Sequence, residues 1–110
     1  MNITITGKQI EVGDALREHA TTRLAASVSK YFEDGIEAHV AFSREGPFYR
    51  TAIRVHVGKS MAFDGRADGA DAYASFAAAV EGVDKQMRRH KRRRRDHGTA
   101  RPPADLETSR

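Results

Sequence analysis

Several common features are missing from this 110-residue sequence, and each absence removes a class of protein. There is no cysteine, which excludes disulfides, thiol catalysis and cysteine-ligated metals. No stretch approaches the roughly 20 apolar residues of a membrane span. The opening MNITITG alternates polar and apolar residues and lacks the basic and then apolar segments of a leader peptide. These absences predict a soluble, cytoplasmic protein with no membrane association.

Aromatic residues are also scarce, at 7% of the chain, and tryptophan is absent. The hydrophobic fraction is 39% over 110 residues. This predicts one small globular domain with a core near the lower practical limit. That core must be built mainly from isoleucine, valine, leucine and alanine.

Catalytic and metal-binding motifs are missing as well. The five histidines show no HExxH spacing, and there is no GxGxxG, P-loop or GxSxG. His39 and His56 fall on neighbouring predicted strands but have no carboxylate partner. Asp64, Asp68 and Asp71 cluster before the second helix, where turn formation and capping account for them. The sequence therefore predicts no enzyme, no metal, no cofactor and no small-molecule substrate.

Hydrophobic periodicity predicts six elements. Alternation with a period of two predicts strands over residues 2–6, 36–42, 49–57 and 61–67. Apolar spacings of three and four predict a helix over residues 15–32 and a second helix that Asp71 caps. The order β-α-β-β-β-α predicts an α+β, two-layer sandwich, like that of double-stranded-RNA-binding domains, in which both helices cover one face of a four-stranded sheet.

The domain is predicted to span residues 1–95. Residues 96–110 are polar, contain a proline pair and have no periodicity, so they are predicted to be a disordered tail or the start of a linker.

The most informative feature that is present is the run KQMRRHKRRRR at residues 85–95. Eight of its eleven residues are lysine or arginine, giving +8, whereas the whole chain is +4, so the other 99 residues sum to −4. Such a dense positive block repels itself and favours a polyanionic partner, most often nucleic acid.

A helical wheel places this run relative to the core. At about 100° per residue, one arc of roughly 80° holds apolar residues, and a cationic arc lies roughly 150° away. The apolar arc contains Tyr73, Phe76, Val80, Val83 and Met87, and the cationic arc contains Lys85, Arg88, Arg89 and Arg92. Arg94 returns to the apolar arc, where burial of its charge would be costly. The helix is therefore predicted to have left the body of the domain by that point.

The first helix carries a smaller group of cations. His19, Arg23 and Lys30 share one flank, and they would extend the basic surface if the two helices lie side by side. Lys30 has a second explanation, since a cation near a helix C-terminus interacts favourably with the helix dipole. The remaining sheet cations and one aromatic have simpler interpretations: Arg50, Arg54, His56 and Arg66 are predicted on the exposed sheet face, and Tyr73 in the core.

Three interpretations of the basic run remain open. A charged helix face can simply be solvated, although consecutive arginines at a helix end favour bidentate phosphate contacts. The fold also suits a free-standing double-stranded RNA-binding module. A third possibility is a module that docks an acidic protein.

Four segments in the same order resemble the family of ribosome hibernation promoting factors, which includes the ribosome-associated inhibitor. They are NITITGKQIEVGDALREHA at residues 2–20, SKYFEDG at 29–35, ADGADAYASF at 67–76 and MRRHKRRRRDH at 87–97. The resemblance covers roughly residues 1–97. It implies a non-enzymatic factor that binds the small ribosomal subunit, with its 16S-type rRNA, in the channel used by messenger and tRNA. Such a factor inhibits translation in slow growth, stress and stationary phase, and is associated with ribosome dimerisation.

Carried over by position, the resemblance implies an RNA-binding surface formed by cations of both helices: Arg23, Lys30, Lys85, Arg88, Arg89, Lys91, Arg92, Arg93 and Arg95. The chain departs from the family at Ala25-Ala26-Ser27, where many members carry further lysines, so the second helix is expected to contribute more. The family has short and long forms, and residues 98–110 fit either a short-form tail or a linker to a dimerising domain. Oligomerisation through this chain alone is left open.

Overall fold

The computed structural model describes the backbone of residues 1–99 and the side chains of residues 1–93. Two helices and four strands follow one another in the predicted order β-α-β-β-β-α. Their bounds are β1 (Asn2–Lys8), α1 (Asp14–Ser29), β2 (Ile36–Glu45), β3 (Phe48–Val57), β4 (Met61–Gly69) and α2 (Ala72–Thr99).

The four strands form one sheet in the order β1-β2-β3-β4. β1 pairs parallel to β2 through the α1 crossover, whereas β2–β3 and β3–β4 are antiparallel hairpins. The β2–β3 turn contains only Gly46 and Pro47, and the glycine has φ 61°, a conformation that glycine adopts without steric cost. The predicted meander is confirmed.

Both helices cover the same face of the sheet, as predicted. Along β2 every second side chain from Ile36 to Phe42 is buried, while the intervening residues are exposed. The buried faces of the strands and of both helices form a single cluster that includes Val40, Ile53, Leu24 and Phe76. Because apolar surface removed from water is the main stabilising contribution, this cluster fixes the helices on the sheet and leaves the opposite sheet face open.

The N-terminus of α2 is fixed to the sheet by polar contacts. Asp71 caps the helix, because its carboxylate accepts a hydrogen bond of 2.8 Å from the amide of Ala74. The hydroxyls of Thr51 on β3 and Ser75 on α2 are buried and hydrogen-bonded to each other at 2.7 Å. The predicted cap is therefore confirmed, and a buried hydroxyl pair adds to it.

The edge strand β4 is also bound to α2 through its backbone. The amide of Asp64 donates to Oε1 of Gln86 at 3.1 Å, and Nε2 of Gln86 donates to the carbonyl oxygen of Asp64. A single side-chain amide thus satisfies both backbone groups at the middle of this edge.

Three sequence predictions need correction. α1 ends at Ser29, not near Phe32, because the amides of Tyr31 and Phe32 both turn back to the carbonyl of Val28. β1, β2 and β4 run longer than predicted, since strand pairing continues through their polar ends. Tyr73 is 46% exposed and not in the core: it lies at the edge of the apolar arc, edge-on to His19 with ring centroids 5.0 Å apart.

α2 continues to Thr99, four residues past the predicted domain boundary. The rest of the predicted tail, residues 100–110, lies outside the described residues. Within the described part of the chain, no helix combines the length and apolarity needed to cross a bilayer.

Candidate nucleic-acid interface

The cations of α2 lie opposite the side chains that attach the helix to the sheet. Val83 and Met87 are fully buried, whereas Lys85, Arg88 and Arg89 on the other side are exposed. The exposed set continues through Lys91, Arg92 and Arg93. The predicted separation of an apolar face from a cationic face is therefore confirmed. Arg95 belongs to α2, and its side chain lies outside the described residues.

The cations of α1 face the same region. Arg23 and Lys30 are exposed and line a shallow groove between the two helices, with a volume of about 360 Å³. Glu81 and Asp84 of α2 form the opposite wall. The cations on the α1 side thus face two acidic residues of α2 across this groove.

Asp84 connects the two helices at this groove. Its carboxylate lies 3.0 Å from Nζ of Lys30 and 3.8 Å from Nη1 of Arg88. The hydroxyls of Ser27 and Tyr31 also donate to it, at 2.7 and 3.2 Å. One acid of α2 therefore binds Ser27 in the last turn of α1, Lys30 and Tyr31 just after that helix, and a cation one turn further along α2.

The surroundings of Asp84 keep it ionised. Only 15% of its side-chain area is exposed, and this burial alone would raise its pKa. Hydrogen bonds from Ser27, Lys30 and Tyr31, together with the charge of Lys30, outweigh burial and lower the pKa below its ordinary value. The groove therefore contains a fixed negative charge, which holds neighbouring positive charges near it.

An aromatic cluster anchors the start of the basic end of α2. Phe32, just after α1, lies against Phe63 of β4 and His90 of α2, with centroid distances of 5.8 and 6.3 Å. Nζ of Lys91 lies 5.8 Å from the centre of the Phe32 ring, within cation–π range. The aromatic cluster therefore reaches the basic run at His90 and Lys91, just before the exposed side chains of Arg92 and Arg93.

Comparisons with known proteins identify the family of this chain. Residues 3–95 match the family described as sigma 54 modulation protein / S30EA ribosomal protein. The chain belongs to this family.

Two curated relatives of this chain differ in length. A ribosome hibernation promotion factor from Bradyrhizobium diazoefficiens is 31% identical over 96 residues, which cover 87% of this chain and 47% of the relative. A ribosome hibernation promoting factor from Salmonella typhimurium is 30% identical over 97 residues, covering 88% of this chain and all of the relative. The chain thus spans about half the length of the first and the whole of the second.

Solved structures of similar proteins have the same fold. The N-terminal domain of Protein Y from Thermus thermophilus superposes with a TM-score of 0.74 at 28% identity, covering 82% of this chain and 99% of that domain. A ribosomal subunit interface protein from Coxiella burnetii has a TM-score of 0.71 at 20% identity, over 84% of this chain and 99% of the other. The second likeness supports the fold alone.

The open sheet face of this S30EA chain carries two arginines that are paired with acids of the neighbouring strand. Arg50 binds Asp68 and Arg54 binds Asp64, each through two hydrogen bonds of 2.7 and 3.2 Å. The hydrogen bond from Arg50 lowers the pKa of Asp68. The prediction that Asp64 and Asp68 serve the turn before α2 is therefore wrong, because both lie in β4 and pair across the strands.

The two histidines on neighbouring strands, His39 and His56, are not register partners in the sheet. His39 lies opposite Arg54 in the sheet register, and His56 lies opposite Glu37. Among the described residues, no group of three or more histidine or acidic side chains is arranged to hold a metal ion.

Sequence reasoning missed Asp84, Ser27 and Tyr31, although they organise the groove. A weak signal was available, since Asp84 is an acid immediately before the basic run. Its partner Ser27 is 57 residues away in sequence, so neither residue could be recognised before the two helices were placed side by side.

Proposed function

We propose that this protein is a non-enzymatic ribosome hibernation factor of the cytoplasm. It binds the small ribosomal subunit in the channel that messenger and tRNA use, and inhibits translation during slow growth. Membership of the S30EA family and its similarity to ribosome hibernation promoting factors support this proposal.

The observation that carries the proposal is the row of exposed cations on α2, to which Lys30 is joined through Asp84. Lys30 after α1 and Arg88 of α2 are held at one carboxylate, and the exposed cations of α2 extend this row along the helix. RNA is a line of closely spaced phosphates, so a row of arginines and lysines on a rigid helix is complementary to it.

The proposed contacts are the nine cations that sequence analysis selected: Arg23, Lys30, Lys85, Arg88, Arg89, Lys91, Arg92, Arg93 and Arg95. Because they bind phosphate and not base edges, recognition depends on the shape of folded rRNA and not on its sequence. The inhibitory effect then requires no chemical step, since occupying the channel excludes messenger and tRNA.

Co-sedimentation with ribosomal subunits on sucrose gradients tests the proposal. We expect the protein in the small-subunit fraction and also a change in the proportions of subunits, monomeric ribosomes and ribosome dimers. The rate of in vitro translation by the same ribosomes should fall as the protein is added.

Competition with duplex RNA and digestion with nuclease distinguish the other two interpretations. Excess plain duplex RNA should not displace the protein from small subunits; efficient displacement would instead indicate a general double-stranded RNA binder. Binding that survives nuclease digestion of the rRNA would indicate an acidic protein as the partner.

A further inference from the structure

A carboxylate in the middle of a phosphate-binding surface needs an explanation, because its charge repels the ligand. We infer that Asp84 is a positioning residue for RNA binding, which holds Lys30 and Arg88 together as one phosphate-binding pair. This inference rests on the proposed function, and the experiment below separates the failure of one from the failure of the other.

The geometry of Asp84 is that of a fixed support. Ser27 donates the shortest hydrogen bond, at 2.7 Å, and Tyr31 donates a second at 3.2 Å. These contacts and the burial of the side chain leave the carboxylate little freedom. Lys30 and Arg88 therefore bind a carboxylate whose position is fixed.

The two cations remain accessible to a second anion. The side chains of Lys30 and Arg88 are 58% and 51% exposed. Lysine has three donors and arginine has five, so each can bind phosphate without leaving the carboxylate. Because they come from different helices, their spacing depends on a shared anchor and not on either helix alone.

Electrostatic repulsion and preorganisation predict opposite effects when the charge of Asp84 is removed. If the carboxylate merely repels phosphate, its removal should strengthen binding. If it orders two long side chains before RNA arrives, its removal should weaken binding, because their rotamer entropy is then lost on association. The sign of the change therefore decides between the two roles.

A matched pair of isosteric substitutions tests the sign. Asp84→Asn and Glu81→Gln each remove one negative charge from the same groove of α2. Glu81 is exposed and, within the described part of the chain, has no hydrogen bond or ion pair. With purified small ribosomal subunits, we expect Asp84→Asn to weaken binding about fivefold, comparable to the cost of ordering one long side chain. Glu81→Gln should leave binding equal or tighter.

A double-mutant cycle separates positioning from a general effect on the fold. In a Lys30→Gln, Arg88→Gln background, Asp84→Asn should cause no further loss, since the side chains that it positions are gone. A loss of the same size in both backgrounds would overturn the inference. So would an Asp84→Asn protein that binds as tightly as Glu81→Gln.

Ser27→Ala provides a second test that leaves every charge in place. Removing the 2.7 Å hydrogen bond loosens Asp84, so binding should weaken in the same direction as in Asp84→Asn, by about twofold. Unchanged binding in this variant would contradict the inference even if Asp84→Asn failed to fold. Failure of the wild-type protein to bind small subunits would reject the proposed function itself.

Discussion

At the scale of single residues, Gly65 sets how closely α2 approaches β4. A Cβ atom at this position would collide with the carbonyl oxygen of Ala79 and lie 2.6 Å from a methyl of Val83. The facing glycine, Gly82, has open space, and an added Cβ would meet only Cα of Gly65 at 3.8 Å. The same substitution should therefore have opposite effects on the two sides of this contact.

We predict that Gly65→Ala lowers the free energy of unfolding by about 3 kcal/mol, because α2 must move away from the sheet. Gly82→Ala should raise it by about 1 kcal/mol, since alanine is the better helix former and fits the space. Urea denaturation monitored by circular dichroism measures both. If the free energy of unfolding changed in the same direction in both variants, the close approach of α2 to β4 would not be what excludes a side chain at Gly65.

A second residue-scale prediction concerns acid stability through Asp84. Its pKa is lowered in the folded protein, so its ionised form stabilises the fold above the ordinary carboxyl pKa of about 3.9. That contribution is lost as pH falls through the lower folded value. Asp84→Asn should reduce the free energy of unfolding by about 1 kcal/mol at neutral pH, given that Lys30 and Arg88 are screened by solvent.

The measurement is a pair of urea titrations for the wild type and Asp84→Asn at several pH values. The difference between them should be constant well above the ordinary carboxyl pKa and should shrink as pH falls below it. A difference that grows with falling pH would contradict the assignment of a lowered pKa to Asp84.

At the scale of elements, the cationic face of α2 is the part of the interface that can be removed without disturbing the core. Arg88 and Arg92 are exposed and one turn apart. We predict that Arg88→Glu with Arg92→Glu abolishes co-sedimentation with small subunits, because two phosphate contacts become two repulsions. The circular dichroism spectrum should remain that of the wild type.

Lys8→Glu with Arg66→Glu is the matched control. It changes the net charge by the same amount on the open sheet face, where both residues line one shallow concavity. This variant should still co-sediment. Equal losses in the two variants would mean that net charge, and not the α2 surface, governs binding.

The elements also show what sequence patterns can and cannot predict. α2 was predictable because its apolar residues recur with the helical period over four turns, and the cationic face follows from the same wheel. The end of α1 could not be predicted, because Tyr31 and Phe32 continue the apolar spacing although their amides already form a turn. The groove at Asp84 depends on contacts between separate helices, for which a local pattern gives no sign.

At the scale of the whole molecule, charge is separated along the chain. The segment 85–95 carries +8, whereas the rest sums to −4. An anionic target therefore attracts one end of the molecule, which orients the protein before contact.

This separation predicts a strong dependence of binding on salt. If about five to seven phosphates are neutralised, the logarithm of the association constant should fall with the logarithm of salt concentration with a slope of roughly −4 to −6. Titrations with small subunits across a range of potassium chloride concentrations measure the slope. A slope near zero would rule out a phosphate-dominated interface.

The pairing of Gln86 with the backbone of Asp64 has a consequence for the protein at high concentration. An exposed edge strand offers unpaired peptide groups on which another copy can stack, the first step of fibril growth. At Asp64, in the middle of β4, the backbone amide and carbonyl are already hydrogen-bonded to the side-chain amide of Gln86. A second molecule would have to break both bonds before its own strand could align, so this edge resists aggregation.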